Sequence, residues 1–216
     1  MDASAFSPTD RVVLSWRGAT TGSSGTAASG IAWTWDNLND TQKAELNTAS
    51  SGGADALGAD RLAYLRGDRS KEAHQTPAGP FRTRTSRHGD IVNSAVWYTP
   101  GKPQAGHTDS AYATFRSNNA SRDAMIYVGA NDGMLHGFDA ATGEERIAYV
   151  PDGLHATLPA LTRPGYAHRY YVDGSPFTAD AQIGANWKTY LAGFPGLGAR
   201  GYFVLDVTDP SAANFT

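Results

Sequence analysis

Apolar positions fall in short bursts along this chain, separated by turn-forming residues. Arg11–Trp16 (RVVLSW) reads as a short strand. Ile31, Trp33 and Trp35 then share one face of a second extended piece, because strand side chains alternate. Between them, residues 18–30 (GATTGSSGTAASG) carry no apolar period and read as a flexible loop. Two short helices are expected next. Asp40 can cap one over Thr41–Thr48, with Ala44 and Leu46 as apolar marks. Asp55 or Asp60 can cap the other, with Leu62 and Leu65 three apart and Gly67 as its stop. Residues 68–87, with Pro77 and Pro80, read as loop.

From residue 88 the pattern turns to β. Asp90–Tyr98 (DIVNSAVWY) predicts a strand, and 101–122 a polar connection around Tyr112–Phe115. The clearest stretch runs from Met125 to Pro151: strand, Asn131-Asp132-Gly133 turn, strand, Asp139-x-x-Thr142-Gly143 turn, strand. Asn, Asp and Gly are the residues that supply positive φ in such turns, and Asp139 and Thr142 can bond the turn's backbone. Asp206 and Asp209 read as turn formers in the same way. Residues 187–206 echo this meander. Trp187–Gly193 parallels Met125–Gly129, and Gly201–Asp206 parallels Met134–Asp139. Arg169–Gly174 is a further strand candidate. Repeated antiparallel units of this kind mark β-propeller blades, with Gly129 and Gly193 where backbones crowd.

Composition sharpens the picture. Of 21 acids 17 are Asp, and of 18 bases 14 are Arg, so the Glu and Lys that fill exposed helix faces are scarce. The 24 Gly and 11 % aromatics fit many turns and strands. A net charge of -3 offers no basic excess for a phosphate backbone, so nucleic acid is not an expected partner. With 0 Cys there is no disulfide framework and no thiol nucleophile. No apolar run is long enough to span a bilayer, and the first residues, MDASAFSPTDR, lack a signal-peptide pattern.

Several blocks together resemble the PilY/PilC family of type IV pilus tip-associated proteins, in its C-terminal β-propeller region. They are LRGDRS (65–70), HGDIVNSAVWY (88–98), IYVGANDGMLHGFDAATGEE (126–145), AYVP (148–151), YYVDGSP (170–176) and WKTYLAGFPGLGARGYFVLDVTDP (187–210). The resemblance implies a bacterial surface protein at the pilus tip, acting in pilus biogenesis, adhesion and twitching motility. It implies pilin and minor pilins as partners, and a host-cell receptor for an adhesive tip. It also implies calcium, held by an Asp/Asn-rich loop that this chain does not contain, so no metal ligand is assigned here. The expected fold is mainly β: an incomplete, quinoprotein-like β-propeller of antiparallel meanders. Residues 1–87 are its loop-and-helix lead-in, and 88–216 supply two to three blades. A blade needs roughly 40–50 residues and a ring at least four blades, so the chain reads as a truncated piece with exposed strand edges.

The candidate sites each have a plain structural alternative. Arg66-Gly67-Asp68 is a possible adhesion tripeptide, or simply the end of a helix. Gly196-x-Gly198-x-x-Gly201 matches a dinucleotide fingerprint, but β-type residues follow where a helix must start. Asp36–Asp40 (DNLND) places Leu38 where a calcium loop needs oxygen. The six His show no helical i, i+4 pair, and His136 reads as a packed strand residue. No nucleophile elbow or phosphate loop is present. No catalytic or cofactor-binding residue is therefore assigned. The leading expectation is a non-enzymatic pilus-tip module presenting loops 101–122 and 152–168. The alternatives are a quinoprotein-like dehydrogenase using Trp187, or an outer-membrane assembly scaffold.

Overall fold

The computed structural model describes residues 7–19, 27–49 and 52–211. The architecture is mainly β with few helices. Strands β1 (Val13–Arg17) and β2 (Ser29–Ala32) form a hairpin, followed by helices α1 (Asp40–Leu46) and α2 (Gly58–Leu65). Then come β3 (Trp97–Thr99), helix α3 (Ser110–Asn118) and the meander β4 (Met125–Gly129), β5 (Leu135–Asp139) and β6 (Glu145–Val150). A second meander is β7 (Phe177–Ile183), β8 (Asn186–Gly193) and β9 (Phe203–Asp206).

Among the described residues these strands make two open sheets. The larger has the order β2-β1-β6-β5-β4-β3, and the smaller β7-β8-β9. From β3 to β6 all pairings are antiparallel. The first hairpin joins through β1, which runs parallel to β6 with Leu14 opposite Tyr149. Residues 1–87 therefore do not pack as a separate body. Trp33, Leu46, Leu62 and Leu65 share one buried cluster with Tyr127, Leu135, Ile147, Val172 and Leu191.

The expected 125–150 meander forms in place, and the expected 187–193 and 201–206 pieces pair as β8 and β9. In the turns of the 125–150 meander Gly133 (φ +96°) and Gly143 (φ +74°) supply the positive φ, whereas Asn131 and Asp132 do not. Gly129 is pressed against the neighbouring segment: a Cβ there would overlap the Val172 carbonyl oxygen.

Several expectations need correction, most for a hydrogen-bonding reason. The 90–98 strand shrinks to β3, because its earlier polar groups are bonded to the 173–175 loop and to the end of β4. The Asn93 amide donates to Asp173 Oδ1 (3.1 Å) and the Ala95 amide to Ser175 Oγ (2.9 Å), while Ser94 Oγ accepts the Gly129 amide (2.9 Å). Arg169–Gly174 is not a strand either. The Tyr171 amide bonds Asn131 Oδ1 (3.0 Å), and the Asp173 amide bonds the Pro195 carbonyl (3.1 Å).

The 101–122 connection contains α3, capped by Asp109 accepting the Tyr112 amide (2.8 Å), with Tyr112 and Phe115 buried. Strand β7 has only weak apolar alternation and was not expected. The cap of α1 is Asn39, in a reciprocal capping box with Gln42, and Asp40 is the first helical residue. Neither Asp55 nor Asp60 caps α2. Its Gly58 amide is taken by Asn47 Oδ1 (2.7 Å), and Asp55 pairs with Arg61. Gly67 does follow the helix end, its amide bonded to the Tyr64 carbonyl. Of the predicted 18–30 loop, residues 20–26 lie outside the described residues, and Ser29–Ala32 is β2. The 152–168 segment is no simple outward loop: Leu154 and Leu158–Thr162 are buried in 3-10 turns.

Candidate functional site

The β4–β5 turn and the segment before β3 meet around one carboxylate. Asp132 sits in the turn and accepts the Met134 amide (3.2 Å), which is the expected turn-forming bond. It also accepts the Gly89 amide (3.0 Å), and both its oxygens lie 3.1 Å from His136 Nε2. His136 is carried on β5 and is fully buried. Its other nitrogen, Nδ1, faces Glu145 Oε1 at 2.7 Å. Glu145 begins β6 and is gripped by Arg11 through two bonds of 2.6 and 2.8 Å. His88 closes the cluster, its ring centroid 4.3 Å from that of His136. Its Nδ1 is 2.6 Å from the Gly89 carbonyl, so Nε2 is the nitrogen left without the proton in the neutral ring.

The electrostatics follow from this chain of alternating charge. Burial opposes a charged His136, but Asp132 and Glu145 outweigh it and push its pKa up to about 9. Burial likewise opposes ionised Glu145, yet His136 and Arg11 hold it down at about 2. Asp132 is held well below the usual carboxylate range against its burial, chiefly by His136. Burial lowers the pKa of His88, and the neighbouring His136 lowers it further. The cluster borders a cleft of about 490 Å³ lined by Tyr64, Arg82, Arg84, His88, Asp132 and Tyr166 among others.

The remaining predicted site residues are placed as follows. The Arg66 guanidinium is buried and donates to the carbonyls of Trp33 (3.2 Å), Pro8 (3.2 Å) and Arg11 (2.8 Å). Gly67 is buried beside it. Asp68 turns back to Ser70, accepting its amide (2.7 Å) and hydroxyl (3.0 Å). Thus the guanidinium and carboxylate of the tripeptide are not offered side by side on a loop. Asp139 accepts the Ala141 and Thr142 amides (both 2.9 Å) and pairs with Arg146. Thr142 Oγ1 accepts the Glu144 amide (3.2 Å), so both act as turn residues. Asn131 has a different task, tying the turn to Tyr171 and, through its amide, to the Asp90 carbonyl (3.0 Å).

Gly196–Gly201 is an irregular loop leading into β9, without a helix. Asp36–Asp40 forms a 3-10 turn and the start of α1. Trp187 packs against Tyr112 and His107 and donates to Asp109 (3.3 Å). The sequence reading singled out Asp132 and noted His136, but missed His88, Glu145 and Arg11 as their partners. Arg11 and Glu145 are 134 residues apart, and no local spacing reveals such a pair.

The blocks HGDIVNS and YYVDGSP, remote in sequence, are thus stitched together against a β-meander in a mainly β module. The comparison with known proteins makes the class particular. Residues 88–216 match the family model described as the PilY1 beta-propeller domain. The type IV pilus biogenesis factor PilY1 of Pseudomonas aeruginosa (strain PAK) is 43% identical over 199 residues, 87% of this chain. A PilY1 homolog of Xylella fastidiosa (strain Temecula1) is 46% identical over 161 residues, 71% of this chain. The chain belongs to the PilY1 family. It spans only 17% and 13% of the length of those two relatives. The crystal structure of the P. aeruginosa PilY1 C-terminal domain aligns with 50% of this chain and 22% of its own, at 38% identity and a TM-score of 0.39. No helix among the described residues is long and apolar enough to cross a membrane.

Proposed function

We propose that this chain is a propeller portion of a type IV pilus biogenesis factor, working as a non-enzymatic structural module at the pilus. The observation that carries the reading is 43% identity, across 87% of the chain, to a protein named for that role. The interlocked motifs add a physical reason. Asn93 with Asp173, Ser94 with Gly129 and Asn131 with Tyr171 are side-chain-to-backbone stitches that hold loops rigidly on the sheets. A rigid platform suits contact with pilin subunits, and attachment and twitching motility follow from assembled pili. The location that fits is the bacterial surface, at the pilus tip. We expect calcium, as the family resemblance implies, with its ligands supplied by residues other than these.

The dehydrogenase alternative gains no support from the site. Trp187 packs against His107 and Tyr112 and donates to Asp109, which is already engaged as the cap of α3. The role is tested by deleting the codons for residues 88–216 in the intact gene and measuring pilin sheared from the cell surface. Loss of surface pilin with unchanged intracellular pilin is expected. Normal surface pilin would refute the role.

A further inference from the structure

The His88–Asp132–His136 cluster has a chemistry that the proposed structural role leaves unused. One ligand atom from each residue lies within 4.8 Å of the others. The surroundings of the two rings prepare them in the same way. His136 Nδ1 is tied to Glu145 and His88 Nδ1 to the Gly89 carbonyl, which leaves Nε2 of each ring as the nitrogen available to a ligand. This is the outer-shell pattern of metal-bound imidazoles, in which a carboxylate or carbonyl fixes the tautomer. Arg11 in turn fixes the Glu145 carboxylate.

Both Asp132 oxygens lie 3.1 Å from His136 Nε2. The group borders the cleft, because His88 and Asp132 both line it. Asn131, 2 % exposed, lines the same cleft, and its buried Nδ2 has no hydrogen-bond partner.

We propose that His88, Asp132 and His136 bind a divalent transition-metal ion of the zinc type, with Glu145 and Arg11 as its supporting shell. Two imidazole nitrogens and one carboxylate suit zinc, whereas calcium takes six to eight oxygens. The site is thus distinct from any calcium loop. Three protein ligands leave a coordination position toward the cleft. Arg11 and Glu145 cancel, and Asp132 supplies one negative charge. A dipositive ion therefore keeps one positive charge there, which favours an anionic fourth ligand.

The test uses the chain with zinc chloride in titration calorimetry, and cobalt(II) as a visible-absorbing substitute. One ion per chain is expected, with cobalt bands in the visible region that zinc abolishes. Glu145→Gln keeps the shape and weakens binding about 10- to 100-fold. His88→Ala, at a partly exposed position, weakens it further and removes the cobalt bands while circular dichroism stays unchanged. A stoichiometry far below one, or His88→Ala binding zinc as tightly as the parent, would overturn the assignment.

Discussion

The Arg66 guanidinium donates to the Arg11 carbonyl at 2.8 Å, so the possible adhesion tripeptide of the sequence has its Arg engaged as part of the fold at the end of a helix. It meets the Trp33 and Pro8 carbonyls as well, which ties the end of α2 to the chain's first strand region. Arg66→Ala would strand buried acceptors, each costing about 1–3 kcal/mol. Asp68→Ala removes only bonds to exposed Ser70, and surface changes of this kind stay within about 0.5 kcal/mol. Urea denaturation should show a large midpoint loss for the first variant and little for the second. Equal, small losses would mean Arg66 does not hold the fold.

Gly129→Ala sets a methyl group against the Val172 carbonyl, where backbone must move. The Ala130 carbonyl accepts the Val172 amide next to it (3.3 Å), so the shift also disturbs that bond. Overpacking of this sort costs about 1–3 kcal/mol. The expected result is a lower urea midpoint with an unchanged slope.

The Glu72 carboxylate is fully buried and bonded to Arg84 (2.8 Å) and Arg69 (3.2 Å). Removing it leaves Arg84, only 7 % exposed, without its counter-charge. Breaking a buried pair costs about 3–5 kcal/mol. Glu72→Ala should therefore melt far below the parent. Burial opposes the charge on Glu72, but Arg84 holds its pKa under the ordinary 4.5. Its stabilisation is present above pH 4.5 and fades as pH falls through the lower folded value.

His155 is buried and accepts the Trp33 indole N–H at 2.9 Å, while its Nδ1 contacts the Asp152 carbonyl at 2.8 Å. The Asp152 carboxylate lies 3.5 Å from the same nitrogen. Burial keeps the His155 pKa below 6.5, against the pull of Asp152. The unfolded chain takes up the proton more readily, so stability falls as pH drops below about 6.5. Tryptophan fluorescence unfolding between about pH 7.5 and 5 should show this slope, and His155→Gln should flatten it. An equal slope in both proteins would assign it elsewhere.

What the sequence displayed was what local rules encode. The meander at 125–150 announced itself through alternation and through Asp139, Thr142 and Gly143, whose bonds are all within a few residues. The strand expected at 90–98 failed for the opposite reason. Its β-type residues are bonded to Asp173 and Ser175, some 80 residues away, and alternation carries no trace of those partners. Helix α3 did leave a signal, since Asp109 stands before Tyr112 and Phe115 at helical spacing, but polar neighbours masked it. The His88–Asp132–His136 cluster was half legible. Asp132 and His136 stood in the clearest stretch, while His88 comes from a segment brought in by the fold.

If a correctly folded β-module supports pilus assembly, disrupting its packing from the inside should abolish that support. Gly129→Leu, placed in the intact protein of the source bacterium, forces β4 away from Val172 without touching a surface residue. Pilin sheared from the cell surface should fall well below the parent level. Wild-type amounts of surface pilin, with the variant protein misfolded, would contradict it.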